Sequence, residues 1–176
     1  MMKMTMTTNN YEYHIANLND LKEVMEVIED GRKLLKEEGN GQWQDGYPNT
    51  DDLRNDILNQ QLYCVTLKGL IIGVMAITGR EDAYHYLYEG EWLTNLDYLV
   101  MHRIAVRESN RESGVGTLLF QIFEEVAQKN NIHSLRIDTH QNNDIMVHLL
   151  KKCGFTYCGK VILPPHKDRI VFEKVI

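Results

Sequence analysis

The stretch LVMHRIAVRESNRESGVGT, residues 99–117, joins an apolar segment, a polar loop and two closely spaced glycines. The apolar segment predicts a strand over Leu99–Val106, and the helical spacing of apolar positions after the loop predicts a helix over Val115–Asn130. Glycines between a strand and a helix let the backbone turn tightly, so that several N–H groups converge at the positive end of the helix dipole. Such a place favours a phosphate group. A plain strand-to-helix turn explains the same Gly-x-Gly, and both interpretations stay open.

The sequence on either side predicts strands and helices in a mixed order. The predicted strands are Tyr11–Leu18, Leu62–Leu67, Leu70–Thr78, Leu135–Thr139, Phe155–Leu163 and Arg169–Ile176. The predicted helices begin at Asn19 with a capping box of Asp20 and Glu23, at Thr50 as a cap, and at Asn143. Residues 80–97 have no clear period and are predicted as an insertion or loop. This order predicts an α/β (α+β) fold in which helices cover a mixed sheet.

Composition limits the classes of protein that the chain can belong to. With 176 residues, 43% hydrophobic and 25% charged, the chain is predicted to be one globular domain. A net charge of −6 argues against nucleic acid as a partner. No apolar run reaches the roughly 20 residues of a membrane span, and the polar segment Met1–Asn10 lacks the apolar region of a secretory signal. Three cysteines without such a signal predict a cytoplasmic protein.

The charge is divided unequally along the chain. The first 100 residues carry 8 Lys and Arg against 17 Asp and Glu, and the remaining residues carry 11 against 8. The positive excess of the second part suits a small anion, although solvated faces of unequal composition explain it as well. Two nucleotide-binding loops are excluded: a Walker loop needs Gly-Lys-Ser/Thr, whereas Thr117 follows Gly116 directly, and the third glycine of a dinucleotide fingerprint is missing.

The loop and the segments that follow it together resemble the GNAT acetyltransferase superfamily. The residues that carry the resemblance are His102-Arg103-Ile104-Ala105-Val106, Arg-x-x-Gly-x-Gly from Arg111, Asp138-Thr139-His140, Asn143 and Lys152-Cys153-Gly154-Phe155. The match is continuous over about residues 99–160, and the first half of the chain agrees in element order alone. The resemblance implies a single GNAT domain over residues 1–176. Its central mixed, twisted sheet would have about six or seven strands and about four flanking helices.

The resemblance assigns residues 99–160 to an acetyl-CoA-binding core and residues 1–98 mainly to the acceptor. It implies that the pantetheine arm pairs with the backbone of Ile104, Ala105 and Val106. The pyrophosphate is implied to bind the amides of Arg111, Glu112, Ser113, Gly114, Val115, Gly116 and Thr117. Asn143 is implied to contact pantetheine and Lys152 to reach the phosphates. An N-cap role for Asn143 and a solvated position for Lys152 are the alternatives.

The activity that the resemblance implies is transfer of an acetyl group from acetyl-CoA to a primary amine by direct attack in a ternary complex. His102 stands where several relatives place a general base, and its ordinary pKa suits that role; deprotonation through water and a structural histidine are the alternatives. The tyrosine that protonates the thiolate in relatives is replaced by Leu150. The candidate substitutes are His140, for which a hydrogen bond within the loop turn is the alternative role, and a tyrosine between Tyr84 and Tyr98. Leu150 also leaves open a non-catalytic acyl-CoA-binding module.

The acceptor side carries aromatic and acidic residues without a motif. Those predicted to line a pocket for a cationic amine are Trp43, Tyr47, Tyr88, Glu89 and Trp92. A hydrophobic homodimer contact explains the same residues. Cys153 and Cys158 are predicted to pack rather than to react. No metal site is predicted, because His133, His140 and His148 lie on three elements without ligand spacing. The sequence carries no signal for the identity of the acceptor, the preferred acyl chain or the oligomeric state.

Overall fold

The computed structural model describes residues 4–6 and 10–176, and for residues 4–6 it describes the backbone alone. Residues 1–3 and 7–9 of the polar N-terminal segment lie outside the described residues. The chain forms two compact units and alternates between them. The first unit comprises the chain up to Ile77 together with His102–Leu119, and the second comprises Thr78–Met101 and Phe120–Ile176.

The first unit contains an antiparallel meander of four strands. They lie in the order β1 (Met4–Met6), β2 (Tyr11–Ile15), β3 (Leu62–Leu67) and β4 (Leu70–Thr78). The β3–β4 hairpin has the predicted bounds. Two helices follow β2, α1 over Leu21–Glu37 and α2 over Thr50–Leu58.

Helix α1 carries the predicted apolar stripe, and its cap differs from the prediction. Leu21, Val24 and Ile28 are buried in the core of the first unit. The predicted capping box of Asp20 and Glu23 is wrong. The box is formed one turn earlier by Asn17 and Asp20, around a short 3₁₀ helix. The cap lies there because the 3₁₀ helix precedes α1 and carries the first free N–H groups. Glu23 instead accepts a hydrogen bond from the backbone N–H of Ile71 at 2.7 Å.

Helix α2 has a different cap from the predicted one. Asn49, not Thr50, is the N-cap, and it forms a reciprocal capping box with Asp52. The cap residue itself has extended backbone, so the helix begins at the next residue.

Two elements pass from one unit to the other. Strand β6 (Tyr98–Val106) has its last five residues in the first unit, and helix α3 (Val115–Lys129) has its first five there. In the order of strands across the sheet, β6 follows β4. Directly after β6, the N–H of Arg107 donates to the carbonyl of Ile72 on β4 at 2.8 Å.

The second unit holds the remaining strands and helix α4 (Asp144–Lys152). Strand β7 (Ser134–Thr139) pairs in parallel with β6 at Tyr98–Val100, and β9 (Lys167–Val175) lies antiparallel on its other side. The order continues with β8 (Thr156–Leu163) and β5 (Glu89–Gly90). Gly154 closes α4 as predicted: it has φ +85°, and Phe155 N–H donates to Leu150 O at 3.0 Å.

The predicted α+β class, with a mixed sheet and four α-helices, is confirmed for the described residues. There are nine strands in them because the short β1 and β5 add to the predicted seven. Strand β5 lies in the predicted loop and depends on two glycines. A Cβ on Gly90 would come within 2.0 Å of Cys158 O, and one on Gly159 within 2.0 Å of Glu89 O. None of the described helices is long and apolar enough to cross a membrane.

Candidate active site

The loop between β6 and α3 has the shape that the Gly-x-Gly predicts. A 3₁₀ turn over Glu108–Asn110 leads into a turn in which Glu112 and Gly114 both have left-handed backbone, with φ values of 61° and 86°. A Cβ on Gly114 would meet nothing within 4 Å. The left-handed backbone, and not crowding, therefore accounts for the glycine at position 114. The space that a side chain would enter there is open.

The first turn of α3 presents free amides beside that open space. Leu118 N–H donates to Gly114 O at 3.0 Å in the first bond of the helix, so the amides of Val115, Gly116 and Thr117 precede the intrahelical bonds. Gly114 is exposed, whereas Val115 is buried. The side chain of Val115 packs so closely on β4 that a Cβ on Gly73 would lie 3.0 Å from it. The core thus fixes the start of the helix at Val115, while the residue directly before it is exposed.

Two arginines tether the loop to its surroundings in the first unit. Arg107 Nε donates to Ile71 O at 2.7 Å, and Arg111 donates from a terminal nitrogen to Asp30 O at 2.7 Å. The Arg111 amide itself bonds to Glu108 O at 3.3 Å. The predicted role of the Arg111 amide therefore competes with a turn hydrogen bond. The loop is held by α1, and its residues directly before α3, Glu112–Gly114, are exposed.

Strand β6 is irregular just before the predicted pantetheine segment. Arg103 has φ 52°, a left-handed conformation that is uncommon for a non-glycine residue. After it, Ala105 is buried against α1, where a Cβ on Gly31 would lie 3.0 Å from the Ala105 Cβ. Ile104 and Val106 are half-buried. Regular alternation along a strand would place His102 and Ile104 on one face, and the left-handed Arg103 interrupts that alternation.

The side chain of Arg103 forms a buried network that the sequence analysis missed. Its Nε lies 2.6 Å from Asp56 Oδ2, one terminal nitrogen lies 2.8 Å from Asp56 Oδ1, and the other donates to Tyr47 Oη at 2.6 Å. The side chains of Arg103 and Asp56 are 14% and 8% exposed. Burial raises the pKa of Asp56, and the charge of Arg103 opposes that shift. A sequence signal existed: Asp56 lies between the buried positions Leu53 and Ile57 of an amphipathic helix, where a carboxylate requires a partner.

The first unit thus brings together His102, the pantetheine segment and the phosphate loop as neighbours along one continuous stretch. His102 is half-buried and directly precedes Arg103.

His140, Asn143 and Lys152 belong to the second unit. His140 Nδ1 accepts a hydrogen bond from Asn142 N–H at 3.1 Å. Burial, together with the charge of Arg169, lowers the pKa of His140. The neutral imidazole then carries its proton on Nε2. This is the loop-turn arrangement that competes with a role as general acid.

Helix α4 carries the other two predicted cofactor contacts. Asn143 is its N-cap and accepts from Met146 N–H at 3.2 Å through Oδ1. Lys152 is exposed at its last position. Leu150 is 0% exposed, so this position belongs to the core of the second unit.

A second network that the sequence analysis missed lies at the end of β7. Tyr84 Oη donates to Asp138 Oδ2 at 2.6 Å, and Arg169 Nε lies 3.9 Å from Asp138 Oδ1. Burial raises the pKa of Asp138. Tyr84 is 1% exposed. It is therefore a core residue in the segment predicted as a loop, and its hydroxyl is already committed to a buried carboxylate.

The predicted acceptor residues divide between the two units. Trp43 and Tyr47 lie in the first unit, where Trp43 is 8% exposed and packs in the core. Tyr88, Glu89 and Trp92 lie in the second. Trp92 Nε1 donates to Tyr84 O at 2.8 Å, and the Arg136 guanidinium lies 4.1 Å from its ring centre.

Tyr88 and Glu89 are exposed and have polar partners. Tyr88 Oη donates to Asp168 at 3.2 Å, and Glu89 pairs with Lys160 at 2.9 Å. By contrast, Trp43 and Trp92 are largely occupied by packing within their own units. Tyr88 and Glu89 keep the exposure that an acceptor contact needs.

Known proteins resemble this chain in sequence and in fold. The model of the acetyltransferase (GNAT) family matches residues 28–155. A GNAT-family acetyltransferase structure from Streptococcus agalactiae 2603 is 34% identical with a TM-score of 0.83, over 94% of this chain and 95% of that one. A GNAT-family structure from Listeria monocytogenes is 17% identical with a TM-score of 0.76, over 99% and 100%. The chain belongs to the GNAT family of acetyltransferases, and it is an acyltransferase by family.

A more distant similarity concerns a protein with a bound nucleotide. A PaiA N-acetyltransferase from Thermoplasma acidophilum, solved in complex with coenzyme A, is 16% identical with a TM-score of 0.68, over 94% of this chain and 99% of that one. This likeness supports the fold. Curated protein sequences give no match to this chain.

Proposed function

We propose that this protein is an N-acetyltransferase that moves an acetyl group from acetyl-CoA to a primary amine by direct attack in a ternary complex. The observation that carries the proposal is the start of α3, where the amides of Val115, Gly116 and Thr117 precede the first intrahelical bond and directly follow the exposed Gly114. Convergent amides at a helix N-terminus bind phosphate oxygens. Family membership supplies the identity of the phosphate-bearing donor.

The residues present fit coenzyme A. The exposed turn Glu112–Gly114 leaves room for a pyrophosphate, and Ile104–Val106 would offer backbone groups to the pantetheine arm. When bound, acetyl-CoA supplies an activated acetyl thioester. Asn143 has Oδ1 engaged in capping α4, so a contact with pantetheine would use its amide nitrogen. Lys152 is exposed and would serve the phosphates as a flexible charge.

His102 is the group that we assign to the proton of the attacking amine. An amine attacks through its lone pair, so the ammonium form must first lose a proton, and an imidazole of ordinary pKa accepts one near neutral pH. After the N–C bond forms and the C–S bond breaks, the thiolate requires a proton. His140 is a weak candidate for this step because its lowered pKa keeps it neutral. In that state, only its Nε2–H remains to donate.

A second candidate function is a non-catalytic acyl-CoA-binding module. The specific observation in its favour is Leu150, which is 0% exposed at the position where relatives place a tyrosine. A leucine there offers no proton, and its burial shows that the position is used for packing. Such a module would bind the thioester through the same loop and release no thiol.

The two functions are separated by one experiment with the full chain. Acetyl-CoA is incubated with a panel of metabolite amines, polyamines and peptides with free N-termini or lysines, while thiol release and product mass are followed. Amine-dependent thiol release with an acetylated product supports the transferase. Binding of CoA in calorimetry, with no release above the rate without protein for any amine, supports the module. The loss of both results would contradict the assignment of the loop.

A further inference from the structure

Three side chains with metal-ligand atoms converge in the first unit. His14 Nε2 lies 3.1 Å from Asp20 Oδ2, and one ligand atom from each of His14, Asp20 and Cys64 lies within 4.8 Å of the other two. Among the described residues this is the one group of three or more such side chains. No role in acetyl transfer is assigned to any of them, and they lie outside the loop and strand that are proposed to bind the donor.

The fold brings the three residues together through its own strand register. His14 on β2 is paired with Cys64 on β3, so the two side chains leave the sheet next to each other on one face. Asp20 ends the 3₁₀ turn before α1. Its Oδ2 also accepts from the backbone N–H of Asn17 at 2.9 Å, which fixes the orientation of the carboxylate. The ligand atoms therefore come from three elements whose positions are determined by other interactions.

The distance between the ligand atoms of His14 and Asp20 is close to that of a tetrahedral site. With metal–ligand bonds of about 2.0 Å for N and O and about 2.3 Å for S, tetrahedral geometry separates N and O by about 3.3 Å and S from either by about 3.5 Å. The observed separation of His14 Nε2 and Asp20 Oδ2 is 3.1 Å. The sulfur of Cys64 lies within 4.8 Å of the ligand atoms of the other two residues, so a metal ion requires it to approach them to about 3.5 Å. Three protein ligands leave a fourth position for water.

The combination of donor atoms selects the class of metal. Thiolate with imidazole and carboxylate suits zinc and similar borderline divalent ions, whereas calcium and magnesium prefer oxygen ligands alone. Burial raises the pKa of the Cys64 thiol. Without a metal, the sulfur is therefore protonated, and binding must displace that proton.

Burial and access are both compatible with a bound ion. Cys64 is 0% exposed, while the side chains of His14 and Asp20 retain 13% and 20% exposure. Two of the three side chains are therefore in part accessible to solvent, while the sulfur is buried. From these observations we propose that His14, Asp20 and Cys64 form a binding site for a zinc-type divalent metal ion.

The site has a structural role in the first unit. A bound ion links β2, β3 and the start of α1, in addition to the β2–β3 strand pairing and the cap formed by Asn17 and Asp20. Because binding requires the folded arrangement, the ion stabilises the folded chain. This role is independent of acetyl transfer, so failure of either proposal leaves the other intact.

The test uses the full-length, tag-free protein after treatment with a chelator. Co²⁺ serves as the spectroscopic probe, because a cobalt–thiolate bond gives a charge-transfer band that imidazole and carboxylate do not. We expect one equivalent of Co²⁺ to produce this band, and Zn²⁺ to displace it. Zn²⁺ is also expected to raise the thermal midpoint of the wild-type protein.

Variants assign the band to the three residues. Cys64→Ala is expected to abolish it and to weaken metal binding by at least about 100-fold, because removing a ligand costs more than removing its supporting partner. Cys158→Ala, which removes another buried thiol, is expected to leave both unchanged. His14→Gln provides a second test if Cys64→Ala does not fold, since the loss of His14 should weaken binding while the thiol remains.

Two results would overturn the proposal. The first is the absence of a thiolate band in folded wild-type protein at neutral pH, which would leave only a His14–Asp20 hydrogen bond beside a core cysteine. The second is a band that persists in folded Cys64→Ala. If that persisting band disappears in Cys158→Ala, the second result assigns the metal to Cys158 instead of Cys64.

Discussion

Gly114 is the residue at which the loop is most sensitive to a side chain. Its φ of 86° admits asparagine and aspartate better than other residues, and both would extend into the space that we assign to phosphate. We predict that Gly114→Asp weakens CoA binding more than the nearly isosteric Gly114→Asn, because the carboxylate repels the pyrophosphate. The measurement is calorimetry with CoA at low and high salt, and the difference should shrink as salt rises.

Equal affinities for the Gly114→Asp and Gly114→Asn variants would contradict the phosphate assignment. Gly116→Asp, in the first turn of α3, tests the same prediction at a second position. It should also reduce CoA affinity while circular dichroism remains that of a folded protein.

His102 is the residue on which the proposed chemistry depends. We predict that His102→Gln lowers kcat by roughly 10²–10⁴-fold with CoA affinity near that of the wild type, because a general base acts in the chemical step. The pH–rate profile should lose its ascending limb near neutrality. His148→Gln, which changes an exposed histidine on α4, is the matched control. A wild-type profile in His102→Gln would assign deprotonation to water.

At the scale of elements, α2 and the end of β6 are joined by the Asp56–Arg103 ion pair. We predict that Asp56→Asn lowers the free energy of unfolding by about 3–5 kcal/mol, because it leaves the Arg103 guanidinium buried without a carboxylate. Replacing both residues, as Asp56→Leu with Arg103→Met, should recover much of that loss. Urea unfolding of Asp56→Leu, Arg103→Met and the double variant measures the coupling between the two side chains. Additive losses would show that the pair is not coupled.

Glu173 joins β9 to β7 and to the segment before β6 within the second unit. Although burial raises its pKa, hydrogen bonds from Ser134 and Thr94 and the charge of Arg136 hold the pKa of Glu173 below its ordinary value. A carboxylate with a lowered folded-state pKa contributes stability above its unfolded pKa of about 4.3, and that contribution is lost as pH falls through the folded value.

We predict that Glu173→Gln destabilises the protein by about 3–5 kcal/mol at neutral pH, since an amide offers donors to groups that are themselves donors. The variant should also lose less stability than wild type between pH 5 and 3. Glu91→Gln, at an exposed position, should stay within about 0.5 kcal/mol of wild type. Unfolding curves at several pH values measure this dependence. The same loss of stability between pH 5 and 3 in Glu173→Gln and in the wild type would contradict the lowered pKa of Glu173.

The strands and helices were predictable where one periodicity covers a whole element. The β3–β4 hairpin and the start of α3 have the predicted bounds, because hydrophobic alternation and the Gly-x-Gly are local signals. The capping box at Asn17 was missed because Asn-x-x-Asp and Asp-x-x-Glu overlap in sequence. Strand β5 was missed because two residues carry no period, and its pairing depends on Gly159, about 70 positions away.

The candidate site was predictable along the chain but not across it. The loop from Arg111 to Thr117 is one contiguous motif, so the sequence locates it. The partner of Arg103 and the partners of Cys64 are set by strand register and helix position, which a local pattern does not carry. A buried Asp56 within an apolar helix face did indicate that some partner was required.

At the scale of the whole molecule, each of the two compact units is built from two stretches of chain that are not contiguous in sequence. The first unit is completed only by His102–Leu119, which follow a segment of the second. Ala105 belongs to its core, and Arg103 is the charge partner of Asp56. A chain that stops before His102 therefore lacks both the apolar and the ionic closure of this unit.

We predict that a fragment ending at Met101 does not fold, whereas one ending at Lys129, the last residue of α3, retains a protected first unit. The difference arises because the longer fragment contains every segment of that unit, while the shorter one exposes the faces that Ala105 and Val115 cover. Limited proteolysis with mass spectrometry, together with the dispersion of amide resonances, compares the two. Protection up to Ile77 in the longer fragment alone is the expected result. Equal protection in the fragment ending at Met101 would contradict this prediction. It would mean that β1–β4 with α1 and α2 form a stable core without the end of β6 and the loop that precedes α3.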